Sequence, residues 1–183
     1  MRQELFKIEQ YAEMALYYLR MQNMSSDLLL KEQNIYLIIK DEVKKYSSSF
    51  IQKKLTLDFE EFSLKVITDE KWLGFVIEQI LSNCVKYTNS GGISITCRNN
   101  LLTITDTGIG IREEDLPRIF EKGFTGYNGR MDKKSTGIGL YLCKQVMDNL
   151  GLEIKVSSWV GQGTCFRIDF NQLLYNNTKI VMD

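Results

Sequence analysis

Residues 101–110 read LLTITDTGIG, an apolar strand pattern that runs into one carboxylate and two closely spaced glycines. Leucine and isoleucine alternate with threonine there, which is the two-residue period of a half-buried strand. Asp106 ends the strand, and Gly108 and Gly110 allow the backbone to turn tightly and to approach a ligand without Cβ clashes. Because most matches to so short a pattern are ordinary turns, its meaning depends on the motifs around it.

Three further motifs stand around this strand in a fixed order. The pattern Asn-x-x-Lys-Tyr precedes it at residues 83–87, TGIGL follows at residues 136–140, and GQGT at residues 161–164 leads into the last predicted strand. The second of these motifs opens a predicted helix over residues 138–149. One motif alone would be weak evidence, but four in this order at domain-scale spacing are highly specific.

The first motif lies on a predicted helix that begins at Asp69, its expected N-cap, and runs to about Tyr87. Gln79, Asn83 and Lys86 are spaced four and three residues apart and form a polar ridge on this helix. An amide oxygen is a suitable ligand for Mg²⁺, and a lysine one turn on neutralises phosphate charge. A solvated helix face is the ordinary interpretation of such residues, and the other motifs argue against it. The ridge runs beside a predicted buried stripe, which comprises Leu73, Ile77, Ile80, Cys84 and Tyr87.

Together these motifs resemble the N, G1, G2 and G3 boxes of the ATP-binding domain of bacterial sensor histidine kinases. Residues 120–124, FEKGF, resemble the F box of the same family, and the similarity covers roughly residues 28–170. The superfamily also holds gyrase-type ATPases and the large heat-shock chaperones. The resemblance implies an α/β two-layer sandwich, in which a mixed sheet of about five strands is covered by three helices. ATP would lie between the helix layer and a flexible lid.

The resemblance also implies roles for single residues. Asn83 would bind Mg²⁺, with Gln79 beside it, and Asn83 and Lys86 are the candidate catalytic residues. Lys86 and Tyr87 would contact phosphate and nucleotide, and Asp106 would accept a hydrogen bond from the adenine amino group. The remaining expected nucleotide contacts are Asn83, Gly108, Gly110, Phe120, Gly137, Gly139, Leu140 and Thr164.

Gln79 distinguishes this chain from the hydrolysing members of the superfamily. Gyrase-like relatives carry a glutamate one turn before the metal-binding asparagine, where it activates water. Gln79 cannot act as a general base, and the neighbouring Glu78 points about 100° away on an ideal helix. We therefore expect a site that holds ATP without rapid hydrolysis, as suits a kinase.

The N-terminal residues 1–23 predict a helix, because they contain no glycine or proline and repeat apolar residues at heptad spacing. That seam comprises Met1, Leu5, Ile8, Ala12, Ala15 and Leu19. A second apolar set lies partly off the seam and comprises Phe6, Tyr11, Leu16 and Tyr18. In the resembling family a dimerising two-helix hairpin, which carries the phospho-accepting histidine, precedes the ATP-binding domain. We expect residues 1–24 to be the end of its second helix plus a linker, with SSD at residues 25–27 as a plausible linker sequence.

The rest of the chain, over residues 25–170, predicts the helices and strands of an ATP-binding domain. We expect a strand opening at residues 28–30, then a helix from about Asn34 to Phe50 with Leu37, Ile38 and Val43 facing inward. Alternation of apolar and polar residues predicts hairpins at residues 55–67, 93–105 and 152–170, which argue against an all-parallel sheet.

Residues 111–135 predict a lid that begins with a short helix at residues 113–120. Residues 171–183 predict a tail. The lid offers basic candidates for phosphate contact, namely Arg118, Lys122, Arg130, Lys133 and Lys134.

Composition narrows the function classes. Acidic and basic residues are both 23 among 183, so the formal net charge is zero, which argues against a nucleic-acid binder. No apolar run approaches the roughly 20 residues that a membrane helix needs. The four cysteines are widely separated, which favours buried thiols in a reducing compartment. The absence of histidine excludes histidine metal sites and, in this chain, a phospho-accepting histidine.

Our first hypothesis is therefore the ATP- and Mg²⁺-binding catalytic domain of a sensor histidine kinase. Its expected partners are the histidine-bearing hairpin of the same protein and a response regulator, in a homodimer tethered to the membrane by preceding segments. The pattern FVIEQILSN at residues 75–83 and IEQY at residues 8–11 resembles small Gram-positive sensors of cell-envelope stress and peptide antibiotics, which often work with a transporter. The alternative is a regulatory module of the same superfamily, either an anti-sigma-like serine kinase or a degenerate member. A hydrolysing gyrase- or mismatch-repair-type ATPase is disfavoured by Gln79 and the missing transducer domain.

Overall fold

The computed structural model describes residues 2–126 and 136–173. The helices described there are α1 (Arg2–Arg20), α2 (Met24–Asp27), α3 (Ile35–Lys45), α4 (Ser47–Lys53), α5 (Glu70–Tyr87) and α6 (Gly139–Asn149). The strands are β1 (Lys31–Asn34), β2 (Thr56–Phe59), β3 (Lys65–Thr68), β4 (Gly92–Arg98), β5 (Leu101–Asp106), β6 (Glu153–Trp159) and β7 (Gly163–Asp169). Single turns of 3₁₀ helix lie at Met21–Asn23 and Leu116–Arg118. Of the short helix predicted at residues 113–120, only the 3₁₀ turn at Leu116–Arg118 forms.

The larger sheet has five strands in the order β2-β4-β5-β7-β6. Strand β2 runs parallel to β4, and the other neighbours are antiparallel. The helices α3, α5 and α6 pack together over this sheet, with α5 between the other two. The predicted α/β fold with a mixed five-stranded sheet is confirmed, and so are the predicted hairpins at residues 93–105 and 152–170.

The hairpin predicted at residues 55–67 is wrong. Strand β2 pairs with β4, with Leu57 opposite Ile93, while β3 pairs with β1 in a separate two-stranded antiparallel sheet. Alternation indicates that each strand has one buried face, but it does not identify the neighbouring strand. Here α5 connects the two sheets and places β4, rather than β3, beside β2.

Two other expectations for the first half of the chain need correction. The strand predicted at residues 28–30 lies at residues 31–34, and Leu29 and Leu30 are exposed. The helix predicted from Asn34 to Phe50 is two helices, which meet at Tyr46. Tyr46 is buried and its hydroxyl donates to the carbonyl of Glu78 at 3.4 Å, so packing on α5 fixes the junction.

The buried face of α3 also differs in one position from the prediction. Ile38 and Val43 are buried as expected, but the side chain of Leu37 is 52% exposed. Leu37 instead lies in the first turn, where its backbone N–H donates to the side chain of the N-cap Asn34 at 3.4 Å. The predicted set mixed one exposed position with two positions of the true apolar face.

Helix α5 is the central helix, and its limits agree with the prediction. Asp69 is its N-cap, because one carboxylate oxygen accepts from the backbone N–H groups of Lys71 and Trp72 at 2.9 and 3.0 Å. The other oxygen accepts from Leu29 at 2.7 Å, which ties the preceding connection to the helix start. The predicted stripe is fully buried at Leu73, Ile77, Ile80 and Cys84, and Tyr87 at its end is half-buried.

Helix α1 packs one face on the domain and exposes the other. The seam predicted from heptad spacing is exposed at Leu5, Ile8 and Leu19, while Tyr17 packs its ring 4.2 Å from that of Phe75 in α5. The packed side continues into the following 3₁₀ turn and comprises Met14, Tyr17, Tyr18 and Met21. Of the second predicted apolar set, Tyr18 lies on this side, whereas Tyr11 and Leu16 are exposed. The predicted linker at residues 25–27 is part of the short helix α2.

Some predictions fall outside the described residues. They concern Met1 of the seam, residues 127–135 of the predicted lid with Arg130, Lys133 and Lys134, and residues 174–183 of the tail. Within residues 2–126 and 136–173, the helices lack the combination of length and hydropathy that a membrane span requires.

Candidate nucleotide-binding site

Asp106 closes β5 as a buried carboxylate, with only 3% of the residue exposed. Its Oδ1 accepts from the backbone N–H of Gly108 at 2.8 Å, so the first glycine of the motif fixes the carboxylate orientation. Burial raises the pKa of Asp106 above its ordinary value, and hydrogen bonds from Gly108 N–H, the Cys84 thiol and Thr164 N–H oppose that shift. A buried carboxylate whose orientation is fixed by its own loop is suited to accept a hydrogen bond from a ligand.

The glycine motif is fitted against the end of α5. A Cβ at Gly108 would lie 2.5 Å from the carbonyl oxygen of Tyr87, and Ile109 N–H donates to that same oxygen at 3.1 Å. The absence of a side chain at position 108 therefore permits close contact between two pieces of backbone. This contact brings Lys86 and Tyr87 of the first motif next to the Asp106 loop.

The last motif closes the same loop from the other side. A Cβ at Gly163 would lie 1.9 Å from the carbonyl oxygen of Asp106, and Gly163 has φ 103°. Gly110 is likewise close to protein backbone, because its Cβ would meet the carbonyl oxygen of Trp159 at 2.1 Å. Thr164 is buried next to Gly163, and its hydroxyl lies 2.9 Å from that of Ser158. The GQGT motif at residues 161–164 is thus joined to the loop that follows Asp106.

The polar ridge of α5 faces the start of α6. A Cβ at Gly139 would lie 2.5 Å from Oε1 of Gln79, so the side chain of Gln79 rests against the first residue of α6. One turn along α5, the Asn83 amide donates from Nδ2 to the carbonyl of Gln79 at 3.0 Å. This bond uses the nitrogen and turns Oδ1 of Asn83 to the opposite side of the amide group.

The start of α6 meets the FEKGF segment. Gly123 N–H donates to the carbonyl of Gly137 at 3.0 Å, and a Cβ at Gly137 would lie 2.6 Å from the carbonyl oxygen of Phe124. Phe120 is partly buried against the core. The N-cap of α6, Ile138, has no side-chain acceptor to offer, so the N–H groups and dipole of this end suit an anion.

The structure therefore brings the predicted residues into one region, by two series of contacts. The first runs from Lys86 and Tyr87 through the Asp106 loop to Thr164, and the second from Asn83 through Gln79 to α6 and Gly137. Leu140 lies in the first turn of α6 and is half-buried. The side chains of Lys86 and Tyr87 lie side by side, with the ammonium 5.0 Å from the ring centroid.

The candidate ligands for a divalent cation in this arrangement are amide oxygens. No group of three or more histidine, cysteine, aspartate or glutamate side chains that could hold a metal occurs in residues 2–126 and 136–173. Mg²⁺ commonly takes one or two protein oxygens and completes its octahedron with water and phosphate oxygens. Asn83 Oδ1 suits that chemistry, because the Asn83 bond to the Gln79 carbonyl engages only Nδ2, whereas Oε1 of Gln79 lies against Gly139.

The carboxylate beside Gln79 does not face the site. Glu78 is 5% exposed and lies on the α3 side of α5, where its carboxylate is 3.9 Å from the ammonium of Lys45. Lys45 also pairs with Glu42 at 2.7 Å. The expectation that Glu78 points away from the ridge agrees with this placement.

Some residues that shape the site were not identified from the sequence. Cys84 was predicted as core, and it is fully buried, but its thiol also contacts the carboxylate of Asp106. Ser158 accepts from Ile111 N–H and donates to the Gly163 carbonyl, both at 2.8 Å, and so joins the two glycine loops. A serine on the inward face of strand β6 was the available signal, because an inward polar residue needs a partner.

Comparison with known proteins identifies the family. Residues 68–173 match the family model described as histidine kinase-, DNA gyrase B-, and HSP90-like ATPase. The chain belongs to this family. The matched residues include all four motifs of the candidate site, so the recognition of a histidine-kinase-type ATP-binding domain is confirmed.

Curated relatives in the family are sensor kinases. The chain is 37% identical over 171 residues to the sensor protein BceS of Halalkalibacterium halodurans, with 91% of this chain and 51% of the relative covered. It is 38% identical over 185 residues to the sensor histidine kinase GraS of Staphylococcus haemolyticus, with 97% of this chain and 54% of the relative covered. The chain thus spans about half the length of these relatives.

Solved structures of this family share the fold. Full-length ShkA in complex with AMPPNP superposes with a TM-score of 0.73 at 20% identity, over 90% of this chain and 36% of that chain. The catalytic domain of histidine kinase ThkA, in a nucleotide-free form, gives a TM-score of 0.65 at 22% identity, over 76% of this chain and 95% of that chain. At these identities the likeness supports the fold of the domain.

Proposed function

We propose that this chain binds ATP and Mg²⁺ as the catalytic part of a two-component sensor histidine kinase. The observation that carries the proposal is the buried carboxylate of Asp106, held by Gly108 at one end of a continuous region. The amide ridge of α5 and the N-terminus of α6 form the other end. This order suits adenine at Asp106 and the triphosphate between Asn83, Lys86 and α6.

The reaction is transfer of the γ-phosphoryl group from ATP to a histidine of a hairpin that this chain does not contain. A phosphorus–nitrogen bond forms as the bond between the γ-phosphorus and the bridging oxygen breaks, and ADP leaves. Mg²⁺, when bound, neutralises charge on the phosphates. Asn83 would supply Mg²⁺ with an amide oxygen, Lys86 would place positive charge near the phosphates, and Asp106 would hold the adenine.

The family supports a biological setting for this reaction. The full-length protein would be a homodimer in the cell membrane, with this chain as its cytoplasmic catalytic domain. Its phosphohistidine would pass the phosphoryl group to an aspartate of a response regulator. The kinship with BceS and GraS supports a sensor role, for which we propose envelope stress or peptide antibiotics as the stimulus.

Calorimetry with ATP tests the site directly. In Asp106→Asn the amide oxygen takes the place of Oδ1 beside Gly108, so the new NH₂ group faces the adenine amino group and two donors meet. We expect ATP affinity to fall at least about tenfold, since hydrogen bonds to charged groups contribute about 1.5–3 kcal/mol. The preference for ATP over GTP should fall as well, which general destabilisation would not cause.

Asn83→Ala tests the metal end of the same site. We expect this variant to bind ATP equally with and without Mg²⁺, while the wild type binds more tightly with it. Transfer is then tested by mixing the chain with a histidine-bearing hairpin and labelled ATP. Wild type that binds no adenine nucleotide would contradict the proposal and favour a degenerate regulatory module. Wild type that binds ATP but labels no histidine would contradict the kinase reaction alone.

A further inference from the structure

A lysine from a neighbouring helix closes the C-terminal end of α5. Lys53, the last residue of α4, donates from Nζ to the carbonyl oxygens of Val85, Lys86 and Thr88 at 2.6, 3.2 and 3.0 Å. The last carbonyl groups of a helix have no N–H partner within the helix. The ammonium group therefore satisfies three acceptors that α5 itself leaves open.

The other carbonyls at this end have backbone partners. Cys84 accepts from Thr88 N–H at 3.0 Å, and Tyr87 accepts from Ile109 N–H at 3.1 Å. The five successive carbonyls of residues 84–88 are thus all hydrogen-bonded, three of them to Lys53. A cation at this position also complements the negative end of the helix dipole.

Lys53 is held in place by the end of its own helix. Lys54 adopts a left-handed conformation with φ 55°, and Leu55 N–H donates to the carbonyl of Phe50 at 3.0 Å. Phe50 and Leu55 are both buried, so this turn is anchored in the core. The fold therefore presents the Lys53 side chain from a fixed position toward α5.

The turn that Lys53 binds is the turn that organises the candidate site. It carries Lys86 and Tyr87, and the Tyr87 carbonyl holds Ile109 in the loop after Asp106. We propose that Lys53 is a positioning residue for nucleotide binding. Its ammonium group fixes residues 85–88, and through them the Lys86 side chain and the loop at residues 106–110. This role rests on the proposed ATP site, although Lys53 itself does not touch the nucleotide.

Lys53→Met tests the proposal, because methionine keeps much of the apolar stem and removes the ammonium group. We expect the dissociation constant for ATP to rise roughly 10- to 100-fold, because a displaced binding group loses that much. Calorimetry well below the melting temperature measures this change. Lys44→Met is the matched control, since Lys44 is an exposed lysine of α3 that pairs only with Asp41 among the contacts described. That variant should bind ATP like the wild type.

Amide hydrogen exchange distinguishes positioning from general stabilisation. In Lys53→Met the amides of Thr88 and Ile109 should exchange faster, while amides in the β6–β7 pairing should keep their protection. A variant with a lower melting temperature but with ATP affinity within about twofold of wild type would overturn the proposal. Unchanged exchange at Ile109 would overturn it too.

Two further outcomes remain decisive. If the methionine variant does not fold, Lys53→Gln replaces it, because a neutral amide with two N–H donors cannot serve three carbonyls. A folded glutamine variant should bind ATP several-fold more weakly, and wild-type affinity would overturn the proposal. If the wild-type chain binds no ATP, the proposed function fails, and exchange at Ile109 still decides whether Lys53 fixes the loop.

Discussion

Gly108 offers a direct test of how the site is built, because its backbone conformation tolerates a side chain but its surroundings do not. A Cβ there would lie 2.5 Å from the Tyr87 carbonyl oxygen and 2.7 Å from Oδ1 of Asp106. Neither neighbour is the end of a flexible surface side chain, since one is backbone and the other a buried carboxylate. Gly108→Ala must therefore move the loop, the end of α5, or both.

The required movement can be worked out from these distances. Ordinary contact begins at 3.4 Å, so the backbone must open by about 0.9 Å, the difference between 3.4 and 2.5 Å. Such a shift breaks the 2.8 Å bond from Gly108 N–H to Asp106 or the 3.1 Å bond from Ile109 to Tyr87. A hydrogen bond to a charged group contributes about 1.5–3 kcal/mol, which corresponds to a roughly 10- to 150-fold loss of ATP affinity.

Calorimetric titration with ATP measures that loss, and Gly151→Ala is the control. Gly151 has φ 68°, and no atom lies within 4 Å of the position that a Cβ would take there, so alanine costs backbone strain of about 1–2 kcal/mol without steric contact. The control should melt at a lower temperature and bind ATP like the wild type. A folded Gly108→Ala variant with wild-type affinity would refute the view that this contact positions Asp106.

Two carboxylate positions on or beside α5 give further predictions. Burial raises the pKa of Glu42 against the opposing hydrogen bond and charge of Lys45, so the stability that Glu42 contributes is present at low pH and is lost as pH rises through its folded-state pKa. The melting temperature of Glu42→Gln should therefore rise relative to that of wild type as pH increases above the ordinary glutamate pKa of 4.5, and thermal scans that show a constant difference would contradict this. Gln79→Glu should raise phosphate release from ATP at least about tenfold by supplying a general base, whereas Glu78→Gln should not. Equal phosphate release in wild type and Gln79→Glu would show that position 79 does not limit hydrolysis.

The parts of the fold that the sequence predicted are those with local signals. Helix α5 has an N-cap at Asp69 and a long apolar stripe, and both are visible within one segment. The β4–β5 connection has Asn99 and Asn100 with φ 52° and 63°, a turn for which two asparagines are a typical signal. Such features depend on neighbours in the chain, so the sequence alone was enough.

Features that depend on distant pairing were not predictable in the same way. Nothing in residues 55–67 indicates that β2 pairs with β4 while β3 pairs with β1, because alternation describes a buried face and not a partner. The break at Tyr46 depends on the hydroxyl reaching α5, and the role of Lys53 depends on carbonyls 32 to 35 positions away. These residues have ordinary local sequences, and only the packed structure gives them partners.

The motifs of the site were visible in sequence, but the reason for their glycines was not. We expected the glycines to allow close approach of the backbone to a ligand. At Gly108, Gly110 and Gly163 the close atoms are carbonyl oxygens of the protein itself, from Tyr87, Trp159 and Asp106. The glycines thus allow the loops to pack on one another, and this packing fixes the carboxylate of Asp106. Their contacts with nucleotide remain a prediction.

Adjacent residues of helix α5 contact different elements of the fold. Successive side chains point about 100° apart, so the helix directs Gln79 toward α6 and buries Glu78 beside Lys45 on the α3 side. A carboxylate is therefore present in the sequence next to the site but is turned away from it, and an amide stands at the position where a base would act on water. If Asn83 and Lys86 hold the triphosphate, neither Gln79 nor Glu78 presents a base to the γ-phosphoryl group. A histidine acceptor, as we propose, would have to come from another chain or segment, because this sequence contains no histidine.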